Sequence, residues 1–443
     1  MMVDKYQFLE RETLYYNMEK RFIEFVNKAH TTYQAVDEAK KILLNNNFKE
    51  LNFITPWHLE KGHNYFIVKA DASIIAFKIG KNVENPSIHI VASHNDSPML
   101  KIKPNGIIYQ NGYTKLNTEI YGGAIYSTFM DRPLGIAGRV MVKENDQLVS
   151  KNITLDTTVI IPNLAIHMNR EINTNHTINA QTDMLAIMSL DEVTIKELIE
   201  KELGKIEILD YDLFLYNKEE AKIIGFNNEF ICGPRLDNLE CYYTSLEALL
   251  EGENPENINI WVGFNNEEVG SSSNNGAGST FLCDVITRVL EMLNLNDKKL
   301  EIFNRTITIS ADNAHAIHPN HPEKSDPTNY VKLNKGIVIK YNSGLSYTSD
   351  AISAGIFKDI CNEENVPYQV YTNRSDLRGG GTLGSILLHT LSVISVDIGL
   401  AQLAMHSAYE TAGVQDLTYM KTALKSFYSR HLNYVNNKAL TIK

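Results

Sequence analysis

Residues 257–273 read NINIWVGFNNEEVGSSS. The apolar run through Ile258, Ile260, Trp261, Val262 and Phe264 has the character of a buried strand. Glycine and serines follow it, so Glu267 and Glu268 stand where the strand gives way to a loop. Two adjacent like charges are costly there unless something positive lies opposite them.

Further runs of the same kind are SIHIVAS, RTITIS, GIVIKY, YQVYT and VISVDI. Several precede segments with helical spacing, such as NLECYYTSLEALLE, STFLCDVITRVLEMLN, DAISAGIFKDICNEE and the C-terminal DLTYMKTALKSFYSRHLNYV. The first fifty residues also read as helical. Apolar strands alternating with helices predict an α/β fold with a mostly parallel sheet covered on both faces. Residues 101–203 differ, with glycine turns and β-rich stretches such as RVMVKEN and LDTTVIIP. They predict a β-rich domain inserted between α/β segments 1–100 and 204–443.

The bulk numbers narrow the function. A chain of 443 residues exceeds one typical core. Its formal charge of −11 disfavours nucleic acid or an anionic membrane as main partner. The longest apolar runs fall short of the roughly 18–20 residues that span a bilayer. No apolar stretch near the N-terminus resembles a secretion signal. The four cysteines lack disulfide or metal spacing and are expected as buried thiols in a reducing cytoplasm.

Five stretches place ionisable side chains just after strand-like runs. SIHIVASHND delivers His94 and Asp96, EFICGPRLDN delivers Asp237, and NINIWVGFNNEE delivers Glu267 and Glu268. RTITISADNAH delivers Asp312, and SVDIGLAQLAMH delivers His406. In an open parallel sheet, ligands bind outside the carboxyl ends of the strands, so these groups are expected in one crevice. Two histidines with several carboxylates suit Zn²⁺, Mn²⁺ or Co²⁺. The count fits two ions: Asp237 as bridge, His94 and Asp312 on one ion, Glu268 and His406 on the other. Glu267 is then free to act as a base. Asp96 is expected to accept the second imidazole N–H of His94.

With SHNDSP, PRLDN, NNEEVGS, ADNAHAIHPNH and LAMHS in this order, the chain resembles the M18 metalloaminopeptidases. The resemblance implies a phosphorylase/hydrolase-like catalytic domain holding two metals, usually zinc, and an inserted dimerisation domain. It also implies homo-oligomers, often dodecameric, that take peptides with a free N-terminus. Its ligands fall on His94, Asp237, Glu268, Asp312 and His406, its base on Glu267, and a cis peptide on Asp237–Asn238. His167 matches a histidine that steadies the oxyanion in a neighbouring subunit's site. Lys340 matches a lysine near the pocket for the substrate's first side chain, and His315 is a candidate substrate contact. A deacylase or carboxypeptidase on the same metal frame is one alternative; a metal-binding assembly protein with a vestigial site is another.

Overall fold

The computed structural model describes residues 18–377, 379–436 and 438–443, so the helical expectation for residues 1–17 lies outside the described residues. From residue 18 there are two helices, 18–28 and Thr32–Asn45. The second begins afresh because the Thr31 hydroxyl accepts the Tyr33 N–H and caps it.

A nine-stranded mixed sheet forms the centre of the α/β part. Its spatial order is Lys49–Leu51, Asn64–Lys69, Ser73–Ile79, Asn257–Phe264, Ser87–His94, Ile307–Ala311, Ile394–Gly399, Ile337–Lys340 and Tyr368–Tyr371. From Asn257–Phe264 to Ile394–Gly399 the four middle strands run parallel, so their carboxyl ends share one edge. Every residue of Asn257–Phe264 and of Ser87–His94 is buried, polar ones such as Asn259 and His89 included.

Alternate side chains enter two cores. Trp261 and Val91 face a core shared with helices Leu236–Glu251 and Val414–Ser429. Ile260, Val262 and Ile90 face the other, shared with helix Phe281–Met292. Each fully buried side chain of this size contributes about 1.5–3 kcal/mol. The two cores therefore hold the strand ends, and the groups on them, firmly in place.

Inserted between Ser87–His94 and the later strands is a separate six-stranded sheet with its own core around Leu100, Ile136, Val140 and Leu213. It runs from Met99–Gln110 to Glu207–Asn217, wider than the 101–203 expected from sequence. Strand Glu207–Asn217 pairs antiparallel with Leu134–Glu144 and with Met99–Gln110. Those partners are distant in sequence, so local composition does not show that it belongs to this sheet.

The C-terminal helix is also shorter than expected. Val414–Ser429 is helical, but Leu432–Asn436 is a strand paired with Ala439–Ile442. Leu424, Tyr428 and Leu432 keep helical spacing across the boundary and hide it. Cys232, Cys241 and Cys361 are buried and Cys283 partly so, all as free thiols. Among the described residues, no helix is long and apolar enough to cross a membrane.

Candidate metal centre

The central sheet delivers its groups at one edge. His94 ends strand Ser87–His94, Asp312 follows Ile307–Ala311, and Glu267 and Glu268 open a short 3-10 turn after Asn257–Phe264. Asp237 and His406 come from a small five-stranded sheet instead, which corrects the expectation that all five sets end strands of one parallel sheet. Asp237 follows Phe230–Gly233 near the start of helix Leu236–Glu251, and the Asp237–Asn238 peptide is cis. His406 lies between Ala401–Leu403 and Glu410–Gly413 with a left-handed φ of 68°.

These residues meet in two groups that share Asp237. His94, Asp237 and Asp312 offer ligand atoms within 4.8 Å of one another, and so do Asp237, Glu268 and His406. Asp237 Oδ1 lies 3.8 Å from His94 Nε2, while its Oδ2 lies 3.4 Å from His406 Nε2. Asp312 Oδ1 is 3.4 Å from His94 Nε2, and Glu268 Oε2 is 3.4 Å from His406 Nε2. Two donors ~2.0–2.1 Å from one tetrahedral ion stand ~3.3 Å apart, whereas direct hydrogen bonds close to ~2.7–3.0 Å. The observed separations fit shared cations. Asp237 Oδ1 and Glu268 Oε1 are also buried without hydrogen-bond partners, so the donor set fits an ion on each side of Asp237.

Both imidazoles present Nε2 for the same reason. His94 Nδ1 lies 3.0 Å from the Asp96 carbonyl oxygen, and His406 Nδ1 lies 3.1 Å from the Gly123 carbonyl oxygen. A carbonyl only accepts, so each Nδ1 carries a hydrogen and Nε2 is the nitrogen turned toward the carboxylates. Asp96 thus supports His94 chiefly through its backbone; its Oδ1 stands 3.5 Å from Nδ1. The Asp96 carboxylate instead accepts the N–H groups of Glu267 and Glu268, each at 3.2 Å.

Without cations the cluster holds protons. Burial lowers the His94 pKa, but the Asp312 and Asp96 carboxylates outweigh it and raise it well above the usual value. Burial also opposes His406, yet Asp237 and Glu268 lift it to about 10. Burial pushes Glu268 well above the carboxylate range despite His406, and Glu267 to about 8 despite His94. Asp312 is depressed: burial works against this, and the Lys340 ammonium and His94 overcome it.

Three further expected site residues lie outside the two ligand groups. Lys340 is buried and donates to the carbonyls of Asp312 at 2.7 Å and Asn313 at 3.2 Å, so it braces the Asp312 turn from beneath. His167 is exposed on the inserted segment and does not join the cluster in this chain. His315 lines an open cavity of about 330 Å³ with Tyr371, Asn373, Gln402 and Met405, which precedes His406.

Glu410 escapes the sequence reading. Its Oε2 accepts the Asp237 N–H at 3.0 Å and its Oε1 accepts the His406 N–H at 2.7 Å. Its four-residue distance from His406 was the available signal, and nothing in it distinguishes such a clamp from any other buried glutamate.

A profile described as "Aminopeptidase I zinc metalloprotease (M18)" matches residues 25–428. A probable M18 family aminopeptidase 2 of Clostridium novyi is 43% identical over 423 residues, covering 92% of this chain and 97% of that protein. A relative of the same description from Clostridium acetobutylicum is 40% identical over 426 residues, covering 93% and 98%. A chain in the cryo-EM structure of the Ape4 and Nbr1 complex superposes with a TM-score of 0.89 at 32% identity, covering 94% of this chain and 86% of that one. With this match over nearly its whole length, the chain belongs to the M18 family of zinc metalloproteases and is an aminopeptidase, a hydrolase acting as an exopeptidase.

Proposed function

We propose that the aminopeptidase works with two divalent cations, zinc first and cobalt or manganese as substitutes. His94 and Asp312 would hold one, Glu268 and His406 the other, with Asp237 shared between the two groups. The observation that carries this reading is the pair of Asp237 oxygens facing two different imidazoles. When bound, the ions supply Lewis-acid polarisation of the scissile carbonyl and lower the pKa of water toward neutrality.

Glu267 belongs to neither ligand group, which leaves its carboxylate free. It takes the proton of the attacking water and returns it to the leaving amine. Acidic groups around the cluster retain the substrate's free α-ammonium, which makes attack exo-specific. The cavity lined by His315 receives the first side chain, and Lys340 acts on that wall through Asp312.

The catalytic part is phosphorylase/hydrolase-like, and the inserted sheet serves dimerisation within a larger homo-oligomer. His167, exposed on that insertion, reaches a neighbouring subunit and steadies the oxyanion there. The protein acts in the cytoplasm. The test is a panel of aminoacyl-anilides and their N-acylated counterparts on protein reconstituted separately with Zn²⁺, Co²⁺ and Mn²⁺. Cleavage confined to free-amine substrates supports the reading; preferred cleavage of blocked substrates rejects it in favour of a deacylase.

A further inference from the structure

The turn that carries Glu267 and Glu268 is conformationally demanding. Asn266, Gly270 and Ser271 all have left-handed backbones, with φ of 64°, 92° and 58°. Two of them are not glycine, so this shape needs outside support. Within the turn, Ser271 N–H donates to the Asn266 carbonyl at 2.7 Å and Gly270 N–H to the Glu267 carbonyl at 2.8 Å.

The outside support comes from the inserted sheet. Tyr121, the last residue of strand Tyr113–Tyr121, donates its O–H to Asp96 Oδ2 at 2.7 Å. The Tyr121 hydroxyl oxygen in turn accepts from Asn266 Nδ2 at 2.9 Å. Asp96 then holds the backbone N–H of Glu267 on Oδ1 and that of Glu268 on Oδ2. The next residues continue the contact. A Cβ at Gly122 would stand 3.1 Å from Glu268 Cβ, and the Gly123 carbonyl takes the His406 Nδ1 hydrogen.

We propose that Tyr121 is a positioning residue: through Asp96, the inserted sheet sets the direction in which the Glu267–Glu268 turn presents its two carboxylates. This rests on Glu267 as base and Glu268 as ligand. It gives the insertion a role inside its own subunit's site, apart from any assembly. The phenol is suited to it because one oxygen can donate to a carboxylate and accept from an amide at once, while the ring packs edge-on against Phe214 at 5.6 Å.

The test is Tyr121→Phe, with Tyr211→Phe as control; Tyr211 donates to the Lys103 carbonyl within the inserted sheet and touches no site residue. Losing a hydrogen bond to a charged group corresponds to about a 10- to 100-fold effect, so kcat should fall by that factor with KM unchanged. In metal-free protein, the peptide containing Glu267 and Glu268 should exchange its amide hydrogens about 10-fold faster than in the parent. In an Asp96→Asn background the same change should add less than about 2-fold, since both act on one turn. Unchanged kcat and unchanged exchange in Tyr121→Phe overturn the proposal, as does an equal loss in the Asp96→Asn background. Its failure is separable from failure of the base assignment, which shows instead as retained turnover in Glu267→Gln.

Discussion

Metal loading should be strongly linked to pH, because the ligands carry protons that cations must displace. In metal-free protein His406 titrates at about 10, so at pH 7 roughly 1000 chains hold its proton for each that lacks it. His94 and Glu268 are likewise raised well above their ordinary values. All three would coordinate through the atoms that lose those protons, Nε2 or a carboxylate oxygen. Filling both positions should therefore release protons near neutrality, about one of them from His406. The sign follows: protons and cations compete, so affinity weakens as pH falls. The dissociation constant of the ion held by His406 should drop about 10-fold for each pH unit gained between pH 6 and 8, the slope one displaced proton gives. Isothermal titration of metal-free protein with zinc, in two buffers of different ionisation enthalpy at one pH, counts the protons directly. Release of none would mean that both imidazoles are neutral beforehand and that the carboxylates do not face them as described.

Glu267→Gln should keep both metals and lose about 10²- to 10⁴-fold in kcat, read by metal analysis alongside steady-state rates; full turnover in the metal-replete variant would remove Glu267 from the base role. His89 is fully buried against the Phe427 carbonyl at 2.7 Å, and burial holds its pKa at about 4. Its folded value is depressed, so its share of stability is complete above about pH 6.5 and is lost as pH falls toward 4, up to ~3 kcal/mol. His89→Gln should flatten that acid limb in urea titrations, and an unaltered limb would contradict the assignment. Arg235 is buried and donates to the carbonyls of Ala29, Val26 and Asn217 at 2.9, 3.0 and 3.4 Å. Arg235→Met strands those acceptors at ~1–3 kcal/mol each, so calorimetry should show a Tm lower by several degrees; no change would refute that cost.

Much of the site was legible because its chemistry lies in side chains at strand ends. His94, Asp312 and the Glu267–Glu268 pair each follow an apolar run, and His94 with Asp312, like Glu268 with His406, lies beside Asp237. What stayed hidden works through the backbone. Glu410 and Tyr121 support the ligands by binding N–H groups or another carboxylate, which leaves no spacing signal. Asp96 shows both sides: its nearness to His94 was readable, but not that its carbonyl serves His94 while its carboxylate serves the glutamates. Lys340 ends a buried strand, and only its three-dimensional neighbours show that it points beneath Asp312. Strand Glu207–Asn217 was misplaced because register with distant partners is a tertiary property.

The most direct test of the two-ion arrangement is anomalous X-ray diffraction at the zinc edge from crystals of the zinc-loaded protein. Two peaks are expected, one bonded to His94 Nε2, Asp312 and one oxygen of Asp237, the other to His406 Nε2, Glu268 and the second Asp237 oxygen. A single peak, or peaks that do not share Asp237, would contradict the account.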